Sequence, residues 1–226
     1  MASELNLKAV NLSLTASTSD VIYDALRDAI IRGEMAEGET IRQESVAKLF
    51  SVSRIPVREA LKRLEAQGLV TSVRYKGVVV ASMSPSEIEE IFEFRGLVES
   101  KLIEYAVESM TPESLELAKG YCEAFAAETD PAKWGDLNRL FHSALYRDSG
   151  RPYYLEIVQG ANDRVERYVR AQLDLTEGMA RARRDHDAIL DACFKRDARK
   201  AVTLTAAHIH NAGQALIRFL RERSEG

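Results

Sequence analysis

Residues 53–70, SRIPVREALKRLEAQGLV, contain a predicted helix with two chemically distinct faces. Ser53 is a favourable N-cap, a proline is tolerated in the first turn, and Gly68 is a typical stop signal. Apolar residues spaced three, one and three apart predict a buried stripe, formed by Val57, Ala60, Leu61 and Leu64. Basic residues at i, i+4 and i+8 predict a separate exposed face, formed by Arg54, Arg58 and Lys62.

The segments on either side of this helix predict a winged helix-turn-helix. Residues 43–50 form a short predicted helix, and residues 51–53 form the turn that leads into the basic helix. Residues 69–73 and 78–81 have β-strand character, and the connection RYKG at residues 74–77 predicts a hairpin. This order of elements is what insertion of a helix into the major groove of DNA requires.

The charge distribution favours the same interpretation. The whole chain has 31 basic and 35 acidic residues and a net charge of −4. Residues 42–76 nevertheless hold eight basic and three acidic side chains, an excess that suits a phosphate backbone. A basic helix face alone is more often simply solvated, but its combination with a turn and a basic hairpin favours DNA. The predicted contacts from this pattern are Arg54, Arg58, Lys62, Lys76 and Gly77.

The remainder of the chain has a different character. Long amphipathic runs follow residue 86, with no further strand pattern, and they predict about six helices. We therefore expect a mainly α fold that combines a winged helix-turn-helix, including its small β hairpin, with an all-α helical bundle. The predicted parts are a flexible N-terminal arm (1–15), the winged domain (16–82), a linker (83–86) and the bundle (87–226).

Three histidines lie on predicted core-facing stripes of three different helices: His142, His186 and His208. Asn138 precedes His142 by four residues, so their side chains share a helix face. A single such histidine is more often a hydrogen-bonded core residue than a ligand. Three of them together favour a metal site, because bundle cores build metal sites from facing helices.

Arg95 interrupts an apolar seam at spacings of three and four, between Ile91 and Val98. A buried guanidinium needs a compensating anion. Glu99, Glu104 or a ligand carboxylate in a cavity could each supply it, and the sequence leaves these alternatives open.

The composition excludes several other classes. No apolar run approaches the roughly 18 residues of a membrane span, and the first 15 residues lack a secretory pattern. Two distant cysteines suit a reducing compartment, so we expect a cytoplasmic protein with no membrane association. A metal-dependent hydrolase is an alternative, but no general base stands at a recognisable spacing from the histidines. We predict that the chain is not an enzyme.

The DNA-reading segment resembles that of GntR-type bacterial transcriptional regulators. The resemblance rests on residues 26–33 (LRDAIIRG), 53–61 (SRIPVREAL), 63–70 (RLEAQGLV) and 77–80 (GVVV). It implies that the DNA-contacting residues are Arg42, Ser53, Arg54, Arg58 and Gly77. The chain departs from the family pattern at Ile55, where a small polar residue is usual, and at Ser51, where glycine is usual.

The C-terminal region resembles the FCD effector domain of the FadR subfamily, through residues 138–146 (NRLFHSALY), residues 185–192 (DHDAILDA) and the final His208. The resemblance implies a divalent metal, zinc or nickel, bound by Asn138, His142, His186 and His208. It also implies a small carboxylic acid effector at the metal, met by Arg95. Many relatives have aspartate where this chain has Asn138.

These resemblances imply a ligand-responsive transcriptional regulator, most often a repressor in this family. Such a protein binds a pseudo-palindromic operator as a homodimer, and the helical domain dimerises and binds the effector. An architectural DNA binder with an inert helical domain is the remaining alternative.

Overall fold

The computed structural model describes residues 17–175 and 178–224, so the predicted arm at residues 1–15 lies outside the described residues. The N-terminal elements are, in chain order, α1 (Thr18–Ile31), α2 (Gln43–Leu49), α3 (Arg54–Ala66), β1 (Val70–Val73) and β2 (Gly77–Val80). The C-terminal helices are α4 (Pro85–Ser109), α5 (Pro112–Ala127), α6 (Pro131–Tyr146), α7 (Pro152–Leu175), α8 (Gly178–Phe194) and α9 (Ala198–Ser224). The prediction of a mainly α fold with one small hairpin is confirmed.

The N-terminal elements surround one apolar core. The stripe predicted on α3 is buried, and it packs against Ile22 and Ile30 of α1. Strands β1 and β2 pair antiparallel, from Val70 opposite Val80 to Val73 opposite Gly77. Because the core takes only one face of α3, its basic face remains on the surface.

Helices α4 and α9 pack along each other in the C-terminal half, and α5, α6, α7 and α8 complete the bundle. Gly213 of α9 lies close against α4, because a Cβ atom there would lie 2.7 Å from Cγ of Phe92. Each helix contributes an apolar face, and Leu102, Phe141 and Ile189 lie in one shared cluster. None of the described helices meets the length and hydropathy needed to span a membrane.

Helix α7 contacts the N-terminal elements through polar side chains. Arg27 of α1 donates from Nε to Oδ2 of Asp163 at 2.8 Å, and the Asp163 side chain is buried. Arg167 donates to the carbonyl oxygens of Met35 and Ala81, both at 3.4 Å. The α7 helix therefore packs in the bundle and also binds the winged part of the chain.

The α4–α9 packing predicts opposite effects for two Gly→Ala changes. Gly213→Ala should lower the free energy of unfolding by about 1–3 kcal/mol, because the new methyl group meets the Phe92 ring. Gly120→Ala in α5 meets no atom within 4 Å and should raise stability by up to about 1 kcal/mol through helix propensity. Urea unfolding of both variants measures the difference, and equal stabilities would contradict this account of the packing.

Candidate metal centre and nucleic-acid interface

All seven residues predicted to contact DNA lie on the surface of the winged part. They are Arg42, Ser53, Arg54, Arg58, Lys62, Lys76 and Gly77. Four of them come from α3 or its N-cap, one precedes α2, and two come from the hairpin. The structure thus brings the predicted residues of α3 onto one solvent-facing surface, with the hairpin in the same compact unit.

The N-terminal end of α3 has polar groups without strong protein partners. Ser53 is the N-cap, but its hydroxyl makes no capping hydrogen bond. Arg54 pairs with Glu44 at 3.2 Å, and both side chains are well exposed, so the pair contributes little to stability. Backbone N–H groups at a helix start favour anions. This end of the helix is therefore chemically suited to a phosphate or a base edge.

The hairpin presents a second basic element. Lys76 donates its backbone N–H to the carbonyl of Val73, which closes a loop of residues 74–76 before Gly77 begins β2. Tyr75 in this loop has a φ of 68°, a left-handed conformation that is uncommon for residues with a side chain. Arg74 stacks over the Tyr75 ring at 4.8 Å.

In the bundle, the three predicted histidines converge. One ligand atom from each of His142 (α6), His186 (α8) and His208 (α9) lies within 4.8 Å of the other two. The ring centroids are 5.0–5.2 Å apart. His186 is fully buried, and neither of its ring nitrogens has a hydrogen-bond partner among the described residues. The alternative of a hydrogen-bonded core histidine therefore does not describe His186.

The electrostatic environment keeps the rings of His142 and His186 neutral. Burial lowers the pKa of both His142 and His186 well below the usual value for imidazole. The neighbouring His208 lowers both pKa values further. A neutral imidazole has the lone pair that binds a metal. The donor set, with the neutral state of His142 and His186, therefore fits a divalent cation.

Asp185 was not predicted as part of this centre. Its Oδ2 lies 3.1 Å from Nδ1 of His208, which leaves Nε2 of that ring free to bind a ligand. Asp185 precedes His186 on α8 and points to a different side of that helix. Its contact with His208 exists because α8 and α9 pack against each other. Spacing along the chain carries no signal for this contact.

The positive charge of Arg95 is compensated by Glu99, one of the three anions that the sequence left open. Its Nε donates to Oε1 of Glu99 at 2.7 Å, whereas Glu104 pairs with Lys101 on the surface. The second oxygen of Glu99 accepts from the hydroxyl of Tyr146 at 2.9 Å. Burial and the Glu99 carboxylate raise the pKa of Tyr146 well above its usual value, so the phenol remains a donor. Sequence reasoning missed Tyr146.

Arg95 also lines a cavity together with two of the histidines, His142 and His208. The cavity has a volume of about 60 Å³, and its walls include Arg95, Asn138, His142, Asp185 and His208. The structure thus places the predicted ligand Asn138 and the predicted effector residue Arg95 beside two of the three imidazoles. The space accommodates an ion and a small group, since a water molecule occupies about 30 Å³ in the liquid.

Two protein families match the chain. The family described as "Bacterial regulatory proteins, gntR family" matches residues 18–80, and "FCD domain" matches residues 90–211. The chain is 30% identical over 200 residues to the HTH-type transcriptional repressor GlaR of Escherichia coli (strain K12), which covers 83% of this chain and 90% of GlaR. It is 28% identical over 210 residues to the uncharacterized HTH-type transcriptional regulator YdhC of Bacillus subtilis (strain 168), covering 90% and 92%.

Solved structures show the same similarity. A GntR family transcriptional regulator from Pseudomonas syringae pv. tomato str. DC3000 has 32% identity and a TM-score of 0.57, and the match covers 92% of this chain and 88% of that one. McbR/YncC of E. coli has 21% identity and a TM-score of 0.79, with coverage of 91% and 100%. The second similarity shows the fold alone.

The hydrogen bond between Tyr146 and Glu99 has a measurable consequence. Tyr146→Phe removes a hydrogen bond to a buried carboxylate and should lower the free energy of unfolding by about 1.5–3 kcal/mol. The matched control, Tyr153→Phe, changes an exposed ring and should stay within about 0.5 kcal/mol of the original protein. Urea unfolding in the presence of a chelator compares the two. A Tyr146→Phe variant as stable as the control would contradict the buried network.

Proposed function

The chain belongs to the GntR family of bacterial regulatory proteins and carries an FCD domain, as FadR-like members do, so it is a DNA-binding transcriptional regulator and not an enzyme. From this premise we propose that it is a metal-dependent repressor that responds to a small carboxylic acid. The observation that carries the proposal is the convergence of three imidazoles, two of which line one cavity together with Arg95.

The ligand set of the proposed centre is Asn138, His142, His186 and His208. When bound, a divalent cation such as zinc or nickel would supply positive charge and an open position for a carboxylate oxygen. Asn138 is neutral, so the ligand set leaves the full charge of the cation for the incoming acid. Arg95 would meet the same carboxylate through the guanidinium nitrogens that Glu99 does not use.

Helix α3 would read the operator. Arg54 and Arg58 of this helix would reach base edges in the major groove, where arginine binds guanine with two hydrogen bonds. Ser53, Lys62 and the hairpin residues Lys76 and Gly77, together with Arg42, would contact the backbone and set the register. A homodimer would present two such helices and would therefore bind a pseudo-palindromic operator.

Helix α7 provides a route from the cavity to the DNA. Val169, Gln172 and Leu173 of α7 line the cavity, whereas Asp163 and Arg167 hold the winged part. The cavity of about 60 Å³ has room for little more than a carboxylate group. An acid with further carbon atoms must therefore displace the cavity walls. Movement of α7 would then change the placement of the DNA-reading heads, because the effector favours one arrangement energetically.

The DNA-reading assignment predicts selectively weaker binding in one arginine variant. Sequences bound by the original protein are selected from random DNA, and mobility shift at one salt concentration measures affinity for the best site. Arg58→Ala should weaken binding by about 1–3 kcal/mol for each base that the side chain no longer reaches. Arg199→Ala, an exposed change on α9 that removes the same charge, should bind like the original protein. Equal binding by both variants would refute the assignment of this helix face.

The metal assignment predicts about one zinc or nickel ion per chain in the purified, tag-free protein. The double variant His142→Ala, His186→Ala should lose the metal while circular dichroism shows retained helix. His210→Ala changes an exposed histidine of α9 and should keep the metal. Stoichiometric metal in the double variant would refute the site. A metal-free original protein, even after zinc is offered, would mean that the histidines are structural or bind an anion directly, and would refute the metal dependence.

A further inference from the structure

Ile55 is an exposed apolar residue at the DNA-reading end of α3. It is the second residue of the helix, and 58% of its surface is accessible to solvent. The apolar residues further along the same helix, Val57, Leu61 and Leu64, are almost fully buried. Ile55 therefore contributes little to the core of the winged part, and its side chain points where the basic residues point.

The position of Ile55 on the helix places it within the basic face. Arg58 and Lys62 follow it by three and seven residues, so all three side chains lie on one side of the helix. Arg54 is its neighbour at the start of the helix. In a helix-turn-helix, the residues of this first turn reach base edges in the major groove. Ile55 would thus lie beside the basic side chains, on the side of the helix that faces the base edges.

The major groove offers one apolar feature to such a side chain. Adenine, guanine and cytosine present hydrogen-bonding groups there, and thymine adds its C5-methyl group. Isoleucine cannot pair with a donor or an acceptor, but it can cover a methyl group. Its β-branched side chain is also restricted to one main rotamer in a helix, so it loses little freedom on binding.

We propose that Ile55 is a specificity-determining residue that reads the methyl group of one thymine in each operator half-site. The proposal rests on the proposed function, because it requires α3 to lie in the major groove. It adds a base preference that the arginine side chains do not supply. Removal of one buried methyl group should weaken binding about fourfold per half-site.

Deoxyuridine tests this proposal, because it differs from thymidine only by the missing methyl group. In the operator selected by the original protein, each thymine of one half-site is replaced singly by deoxyuridine, and affinities are measured by mobility shift. We expect the affinity to fall about fourfold at one position and to stay unchanged at the others. Ile55→Ser should bind the thymine operator more weakly and should show no further weakening at that position.

Two further variants separate the methyl contact from a general effect on folding. Ile55→Val keeps a β-branched apolar side chain and should retain the deoxyuridine effect. Val21→Ser changes an exposed apolar residue in the first turns of α1 and should behave as the original protein does. Thermal unfolding checks that each variant is folded.

The outcomes distinguish this proposal from the proposed function. If the original protein binds its selected operator specifically, but Ile55→Ser shows the same deoxyuridine effect, the methyl contact is overturned and DNA reading by α3 stands. A selected operator without thymine in either half-site, or without any deoxyuridine effect, also overturns it. If the original protein shows no sequence-specific binding, both the methyl contact and the proposed function fail.

Discussion

The buried pair of Arg95 and Glu99 sets the main constraint on the helical domain. Both side chains lie inside the bundle, and an unpaired charge there would be very costly. The two residues are one turn apart on α4, so this helix carries its own compensation. Tyr146 of α6 satisfies the remaining carboxylate oxygen, which ties α4 to the helix that carries His142. The polar centre therefore adds a hydrogen bond across helices to the apolar packing that turns this face of α6 inward.

The same arrangement explains how a structural ion pair can stand beside a ligand site. Glu99 uses only the Nε side of the guanidinium, and the Arg95 side chain lines the cavity with two of the histidines. The pair neutralises the guanidinium within the bundle and also orients it. A fixed, partly neutralised arginine is suited to recognise a carboxylate without a large cost of ordering.

Helix α7 contacts both halves of the molecule, one through apolar packing and the other through hydrogen bonds and an ion pair. Its apolar side chains pack in the bundle, and its polar side chains bind Arg27 and two backbone carbonyls of the winged part. The ion pair of Arg27 and Asp163 is sensitive to geometry, because the buried Asp163 carboxylate loses its hydrogen-bonded partner when the two separate. Small displacements of α7 would therefore change its contacts with the winged part, which carries the DNA-reading helix α3.

The helical periodicity of the sequence was enough to predict which faces of several helices are buried and which are exposed. It predicted the buried stripe and the basic face of α3, the helical C-terminal half, and the inward positions of His142, His186 and His208. A period of 3.6 residues states which side of a helix is buried, but it does not state which helices meet or how far each is rotated. Tertiary structure alone therefore decided that the three imidazoles converge and that Arg95 pairs with Glu99 and not with Glu104. It also decided that Tyr146 and Asp185 join the centre, because these contacts cross between helices that are distant in the chain.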